Sequence, residues 1–168
     1  MKKKYELVEL NLKMGKKEYE MYQDIPLKES GSTNLCKELP YEVFTIFLEN
    51  QMARKFQRIS YFDTPTILYI MYVDDNPVGY IGLRTEINED WYNWSGNFFY
   101  VVRLSERGKG YGTKMLELAL DEFRKMGFKE VYSVASENNV ASSKVMENNG
   151  GILLKIDKND RKYYKIIL

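Results

Sequence analysis

Apolar and polar positions along the 168-residue chain change their spacing several times, and each spacing predicts an element. Alternating apolar residues at 5–10 predict a short strand, and the charged segment 15–22 predicts a helix. Residues 30–34 are typical of a loop. Apolar residues recur at helical spacing over 40–60, with Pro40 suited to a first helical position. The first third of the chain is therefore predicted to be one strand followed by helices.

The pattern becomes that of strands from residue 66 onwards. Apolar runs at 66–73 and 78–87 flank a cluster of turn residues at 74–77, which predicts a hairpin. Residues 88–95 are polar and aromatic and predict a loop. A further run rich in β-branched and aromatic residues at 97–103 predicts another strand.

The clearest helix signal covers residues 110–126, where apolar residues form one stripe and Gly127 is placed to end the helix. A strand at 129–135 and a short helix at 139–148 follow. The last two strands, at 152–156 and 162–168, flank the turn 157–160. This order of elements predicts an α/β fold in which a mixed sheet has helices on both faces.

Charge and hydropathy exclude several classes of function. Lys and Arg number 25 against 24 Asp and Glu, so the formal net charge of +1 offers no footprint for nucleic acid or an anionic membrane. Apolar runs such as 66–73 are shorter than the roughly 20 residues of a membrane-spanning helix. Glu6 and Glu9 interrupt any apolar stretch of a secretory leader. We expect a cytoplasmic protein without nucleic-acid or membrane partners.

The lack of histidine narrows the chemistry further. It excludes Ser-His and Cys-His nucleophiles and histidine metal sites, so no metal is expected. The single cysteine, Cys36, has no partner for an internal disulfide and is more typical of a structural residue than of a nucleophile. Carboxylates, tyrosine hydroxyls, lysines, backbone amides and water remain. These groups suit a reaction in which a group is transferred directly from an already activated donor.

The loop between the strand 97–103 and the helix 110–126 is the strongest candidate for a ligand site. Gly108, Gly110 and Gly112 leave backbone amides accessible, and the helix N-terminus behind them attracts anions. The spacing fits neither a Walker loop nor a dinucleotide-binding fingerprint. A turn that merely begins a helix is the alternative to a diphosphate site. The basic residues at this loop are Arg103, Arg107, Lys109 and Lys114.

These residues resemble the acyl-CoA motif of the GNAT acetyltransferase superfamily, which reads Arg or Gln, two residues, Gly, one residue, Gly or Ala. Arg107, Gly110 and Gly112 satisfy it. The stretch 83–151 is similar to an uncharacterised subfamily of predicted acetyltransferases. The resemblance implies a splayed sheet of about seven strands and a single domain over 1–168. Within it, 1–65 would be a variable substrate-side region and 66–168 the acyl-CoA-binding core.

The resemblance also implies the function: an N-acetyltransferase with acetyl-CoA as donor, whose acceptor amine attacks the thioester directly in a ternary complex. The acceptor would be a small-molecule or peptide amine, and because relatives are often dimers a homodimer is a further expectation. For Asn139 a simple helix N-cap is an alternative role. The residues implied to contact the donor are Val101, Val102, Arg103, Arg107, Gly108, Lys109, Gly110, Tyr111, Gly112, Thr113, Asn139, Ser142 and Lys144.

The chain departs from the family at the acid that protonates the departing thiolate. Many relatives use a tyrosine at the position of Met146, so the catalytic acid and base are unassigned. The remaining candidates are Glu86, Tyr100, Glu137, Tyr163 and Tyr164. A non-catalytic acyl-CoA-binding or regulatory module on the same fold stays open for this reason. Nucleotide binding by the glycine loop is a third hypothesis, although no acidic magnesium or ribose partner stands at the expected spacing.

The segment 89–94 combines two acidic residues with three aromatic ones near the expected acceptor side. Its charge and its rings would suit a cationic amine through cation-π contact. A solvated loop anchored by a Trp is the other interpretation.

Overall fold

The structure is a computed structural model of the chain and describes residues 3–29, 32–136 and 138–168. It confirms the predicted α/β fold class. Single 3-10 turns occur at Tyr41–Val43, Arg54–Phe56 and Leu104–Glu106. The strands and helices, in chain order, are β1 (Tyr5–Glu9), α1 (Lys16–Gln23), β2 (Lys28–Glu29), β3 (Ser32–Thr33), α2 (Phe44–Ala53), β4 (Thr66–Val73), β5 (Asn76–Arg84), α3 (Glu89–Trp94), β6 (Phe98–Val102), α4 (Tyr111–Lys125), β7 (Glu130–Ala135), α5 (Val140–Asn148), β8 (Ile152–Ile156) and β9 (Lys162–Ile167).

The seven longer strands of the described residues form two sheets, in the orders β1-β4-β5-β6 and β7-β9-β8. The strands within each sheet pair antiparallel. The sheets touch where Gly96 bridges Ser133 and the Asn97 N–H donates to the Tyr132 carbonyl at 2.7 Å. The expected seven strands are thus divided into four and three, with β6 and β7 at the division.

Both faces of the four-stranded sheet are buried. Alternate residues of β4 point to opposite sides, so Tyr69 and Met71 pack towards α4 while Leu68 and Ile70 pack towards α1 and α2. This two-sided burial explains why β4 is an almost continuous apolar run in the sequence.

Helix α4 forms as its apolar stripe predicts. The helix ends in a Schellman motif at Gly127, whose φ is +87°. The residues of its stripe, all buried, are Met115, Leu116, Ala119, Leu120 and Phe123. The Phe128 N–H donates to the Phe123 carbonyl at 3.1 Å and the Gly127 N–H to the Arg124 carbonyl at 3.0 Å. This packing of α4 fixes where its N-terminus lies against β6.

Four local predictions need correction. The strand predicted at 78–87 is β5, which begins at Asn76 and ends at Arg84. The helical segment predicted to reach residue 60 ends near Phe56. Trp91, distant in sequence, holds the following loop by donating its Nε1–H to the Ser60 carbonyl at 2.7 Å. The predicted loop at 88–95 contains helix α3, which Asn88 caps by accepting the Trp91 N–H at 3.0 Å. The predicted loop at 30–34 contains β3, and residues 30 and 31 lie outside the described part.

No helix in the described ranges is both long and apolar enough to cross a membrane.

Candidate active site

A cavity of about 640 Å³ occupies the division between the two sheets. Its walls are β6, the loop that follows it, the first turn of α4, the end of β7 and the helix α5. We call it the loop cavity. A ligand in it would lie along the free edge of β6, because β6 pairs with β5 on its other side.

The glycine loop presents open backbone to this cavity. Gly108 and Gly110 have φ values of +74° and +78°, a left-handed conformation that favours glycine. A Cβ at either position would meet no atom of the described residues within 4 Å. Gly110 is the N-cap of α4, so the first amides of that 15-residue helix have no partner inside the helix. The loop and helix terminus together form an anion-binding surface.

Gly112 is required for a different reason. It lies in the first turn of α4, where a Cβ would be 3.3 Å from Val145 Cγ2 and 3.5 Å from Tyr100 Cε2. The absence of a side chain lets α4 approach both α5 and β6 closely. A side chain at Gly112 would therefore push α4 away from α5 and β6, which are walls of the loop cavity.

The positive charge expected at this loop is compensated inside the chain. Arg107 also donates its Nε–H to the Val102 carbonyl at 2.9 Å, which ties the loop to the end of β6. Since each basic residue has an acidic partner, the backbone amides and the helix N-terminus are left as the main attraction for an anion. The ion pairs are Arg103 with Asp24 (2.9 Å), Arg107 with Glu29, Lys109 with Glu106 (2.7 Å) and Lys114 with Glu117 (2.6 Å).

Helix α5 forms the opposite wall. Asn139 caps it by accepting the Ser142 N–H at 3.0 Å, as the N-cap interpretation predicts. The Ser142 hydroxyl accepts a hydrogen bond from Tyr100 at 3.2 Å, which joins α5 to β6 across the cavity. Burial raises the pKa of Tyr100, and the bond to Ser142 offsets part of that rise. Tyr100 is therefore a neutral hydroxyl at ordinary pH.

The structure brings all but two of the predicted donor-contacting residues to the loop cavity. Arg103 and Lys109 do not line it, because their side chains turn to Asp24 and Glu106. The lining residues among those predicted are Val101, Val102, Arg107, Gly108, Gly110, Tyr111, Gly112, Thr113, Asn139, Ser142 and Lys144.

Of the catalytic candidates in the described part of the chain, Tyr100 alone lines the cavity. Tyr163 and Tyr164 are buried in β9, with their hydroxyls 3.0 Å from the Asn93 carbonyl and 3.1 Å from Glu147 respectively. Glu86 is exposed beyond the end of β5 and lines neither cavity. Glu137 lies outside the described residues. Met146 is buried and lines the loop cavity.

A second cavity of about 860 Å³, which the sequence interpretation missed, adjoins the first. We call it the arginine cavity because Arg54, Arg84 and Arg161 line it. Arg84 ends β5, which is otherwise almost entirely apolar. A cation in such a run is unusual, and it is the sequence feature from which this cavity could have been predicted. The residues shared by both cavities, which mark their junction, are Ser32, Ser95, Phe99, Val134 and Ser136.

The acidic aromatic segment is divided between surface and cavity. Glu89 and Asp90 are exposed and line neither cavity. Trp94 lines the arginine cavity, and the ring of Trp91 stacks on Arg84, 4.7 Å from the guanidinium carbon. The acidic residues expected at the acceptor side are thus on the surface and not in either cavity.

The single cysteine and the possible metal ligands are the remaining groups to be placed relative to the cavities. Cys36 is buried and lines neither cavity, and burial raises the pKa of its thiol to about 12. Within the described ranges, no group of three or more Cys, Asp or Glu residues could hold a metal ion.

Comparison with known proteins identifies a family and a fold. A sequence model of the acetyltransferase (GNAT) family matches residues 34–150. The comparison with curated protein sequences finds no match. RimL, a ribosomal alpha-N-protein acetyltransferase solved in complex with coenzyme A, is similar with a TM-score of 0.71 at 14% identity, over 98% of this chain and 94% of its own.

Two further solved structures show the same likeness. The acetyltransferase of the GNAT family from Streptococcus pneumoniae has a TM-score of 0.63 at 14% identity, covering 98% of this chain and 99% of its own. For yncA from Salmonella typhimurium, solved with its cofactor acetyl-CoA, the TM-score is 0.60 at 13% identity, with 98% and 94% covered. At these identities the likeness shows a common fold.

Proposed function

Because this chain belongs to the acetyltransferase (GNAT) family and is an acyltransferase, we propose that it moves an acetyl group from acetyl-CoA in the loop cavity to an amine in the arginine cavity. One observation carries the proposal. The open amides of Gly108 and Gly110 and the N-terminus of α4 lie at the division of the sheets, where an extended ligand reaches the free edge of β6. Solved relatives of this fold contain acetyl-CoA or coenzyme A.

The chain's own groups fit such a donor. The amides of the loop and of the first turn of α4 hold the diphosphate, since their residues line the cavity and the first amides of a helix lack partners within it. The free edge of β6 pairs with the pantetheine arm as an added strand would. Asn139 and Ser142 line the opposite wall, from which they limit the arm's movement.

The junction of the two cavities is where the reaction takes place. An amine held there loses one proton to water and attacks the thioester carbonyl carbon, after which the C–S bond breaks and the thiolate leaves. The acetylated nitrogen gives up its second proton, the thiolate takes one proton, and one proton is released overall. An amide of β6 near Phe99 stabilises the oxyanion that forms during the attack.

No acetyl-enzyme intermediate is part of this proposal. The Cys36 thiol is buried, lines neither cavity and stays protonated because its pKa is raised. The amine therefore attacks the donor directly in a ternary complex, and the kinetics are sequential. The acceptor is a small-molecule or peptide amine, and the cytoplasmic location predicted from the sequence stays a prediction.

A non-catalytic acyl-CoA-binding module is the second candidate. Met146 cannot protonate a thiolate, and the described residues shared by both cavities carry hydroxyl or apolar side chains but no carboxylate. Release of CoA thiol with a panel of amines separates the two functions. Thiol release that depends on the amine, with an acetylated amine detected by mass spectrometry, supports the enzyme. Calorimetric binding of acetyl-CoA without amine-dependent release supports the module.

A homodimer also belongs to the proposal. Strand β8 pairs with β9 on one side only, and all five of its residues are exposed. Four of them are aliphatic, which is unusual for an edge strand facing water. A second copy of the chain, related by a two-fold axis, would cover both β8 strands at once.

A further inference from the structure

Arg84 is a buried cation without a carboxylate partner among the described residues. Its side chain is at the end of β5, and the residue is 6% exposed. Its Nη1–H groups donate to the Ser95 hydroxyl at 3.2 Å and to the Gly96 carbonyl at 3.0 Å. The rings of Trp91 and Phe99 each lie 4.7 Å from the guanidinium carbon. These contacts fix the orientation of the group but do not neutralise its charge.

A second arginine adds positive charge to the cavity, which its interaction with Asp63 offsets only for that arginine. Arg54 lines the same cavity and donates to Gln51 Oε1 at 3.2 Å. The positive charge of Arg54 disfavours the charged form of Arg84. Burial and the proximity of Arg54 lower the pKa of Arg84 to about 9. Asp63 is the only carboxylate among the described lining residues. Arg161 is paired with Asp157 at 2.8 Å, so it contributes little free charge.

Three residues that line the arginine cavity carry buried polar atoms with no hydrogen-bond partner among the described residues. These atoms are the Tyr22 hydroxyl, Gln57 Oε1 and Arg84 Nε. Burial raises the pKa of Tyr22 well above its usual range, so its hydroxyl is a neutral hydrogen-bond donor. An unsatisfied buried donor is costly, and a ligand oxygen would remove that cost at Arg84 and at Tyr22.

We propose that the arginine cavity binds an anionic group of the acceptor, so that the acceptor is a primary amine that also carries a carboxylate or a phosphate. A guanidinium pairs with either group through charge-assisted hydrogen bonds, and Arg84 lines the cavity with one buried N–H, at Nε, that no described residue accepts. This inference rests on the proposed acetyl transfer and names the substrate class. It replaces the cationic amine suggested by the acidic residues of 89–94, which point away from the cavity.

The position of Phe99 also limits the distance between the amine of the acceptor and its anionic group. Its ring stacks on Arg84, and Phe99 lines both cavities at the junction where the amine reacts. The anionic group bound by Arg84 is therefore about one aromatic ring away from the reacting nitrogen. Compact acceptors such as an amino acid or a short amino phosphate meet this distance.

Matched amines test the inference. The pairs are L-leucine with 3-methylbutylamine and O-phosphoethanolamine with ethanolamine, which distinguish a carboxylate from a phosphate, and spermidine is the polycation. With wild-type protein, we expect the anionic member of at least one pair to be acetylated with a kcat/KM about tenfold or more above its uncharged partner. Equal or better use of the partners or of spermidine would overturn the inference.

Three variants locate the effect. Arg54→Gln and Arg84→Lys should raise KM for the preferred anionic amine about tenfold or more, with KM for acetyl-CoA nearly unchanged. Arg58→Gln is the matched control, because Arg58 is exposed and lines neither cavity. Unchanged KM values in both cavity variants would contradict the assignment, even if the wild type prefers anionic amines.

Failure of the proposed catalysis is distinguishable from failure of this inference. If no amine is acetylated, the CoA-bound protein is titrated with L-leucine and with O-phosphoethanolamine in a calorimeter. Binding that Arg54→Gln weakens and Arg58→Gln does not would retain the anion site while rejecting acetyl transfer. The absence of binding by either compound would reject the anion site itself.

Discussion

At the scale of single residues, Gly110 links the loop conformation to the proposed ligand site. Its φ of +78° is a conformation that costs other residues about 1–2 kcal/mol, and the space beside its Cα opens on the loop cavity. Strain and steric block are therefore separate consequences of any substitution there. A variant with only one of the two consequences is needed to tell them apart.

We predict that Gly110→Glu abolishes measurable CoA binding while the fold is retained. The carboxylate would occupy the space beside the unpaired amides and repel the diphosphate, and the loss of several charge-assisted bonds should weaken affinity by more than about hundredfold. Calorimetry on the folded variant measures this.

Gly127→Glu is the matched control for this change. Gly127 has a φ of +87°, and a Cβ there also meets no atom of the described residues within 4 Å, but it lies at the other end of α4. It should lower stability by a similar amount and leave CoA affinity unchanged. An affinity of Gly110→Glu within a few-fold of wild type would reduce the glycine loop to a simple turn.

At the scale of elements, β8 differs from the other long strands because all of its residues are exposed. Its ladder with β9 shifts register between Leu153 and Lys155, so Leu154 occupies a bulge and is 43% exposed. A substitution at Leu154 thus changes the exposed surface of the strand without removing a ladder pair.

We predict that Leu154→Lys converts a dimer into a monomer. A lysine on an edge strand opposes pairing with another copy, because its charge would be buried in the interface. Sedimentation velocity at micromolar concentration measures the state of both proteins. Ile46→Lys, at an exposed aliphatic residue of α2, should remain dimeric. A monomeric wild type would contradict the proposed dimer.

At the scale of the molecule, the ligand site depends on how two sheets meet. Between the described residues, the sheets touch through the bridge of Gly96 with Ser133 and the hydrogen bond of Asn97 with Tyr132. Beyond this contact, β6 and β7 both line the loop cavity. A donor bound between them contacts both sheets and α5, so it should stabilise the folded chain as a unit.

We predict that acetyl-CoA raises the melting temperature by several degrees in the presence of a chelator. At a concentration of about 100 times its dissociation constant, a ligand of the native state contributes about 2.7 kcal/mol. Thermal denaturation with acetyl-CoA, ATP and NAD measures the selectivity, and Gly110→Glu should show no shift. Stabilisation by ATP or NAD without any by CoA would favour nucleotide binding by the glycine loop.

Much of the fold and of the loop cavity could be predicted because short-range interactions determine them. The stripe of α4, the Schellman motif at Gly127 and the alternation in β4 depend on spacings of a few residues. The loop motif lies in consecutive residues, so its contribution to the cavity follows once the strand before it and the helix after it form. For the same reason, most of the predicted donor-contacting residues do line this cavity.

Tertiary structure alone decided the rest. The sheets divide where residues near 97 meet residues near 132, and the acceptor side forms where Arg84 is enclosed by Trp91 and Phe99. Whether a tyrosine faces a cavity or the core depends on how the elements pack. Tyr100 of β6 faces the loop cavity, where its hydroxyl donates to Ser142 of α5. These contacts join segments far apart in the chain, and no local spacing specifies them. The charge balance of the arginine cavity is likewise a property of the packed molecule, because it depends on which carboxylates the fold keeps away from Arg84.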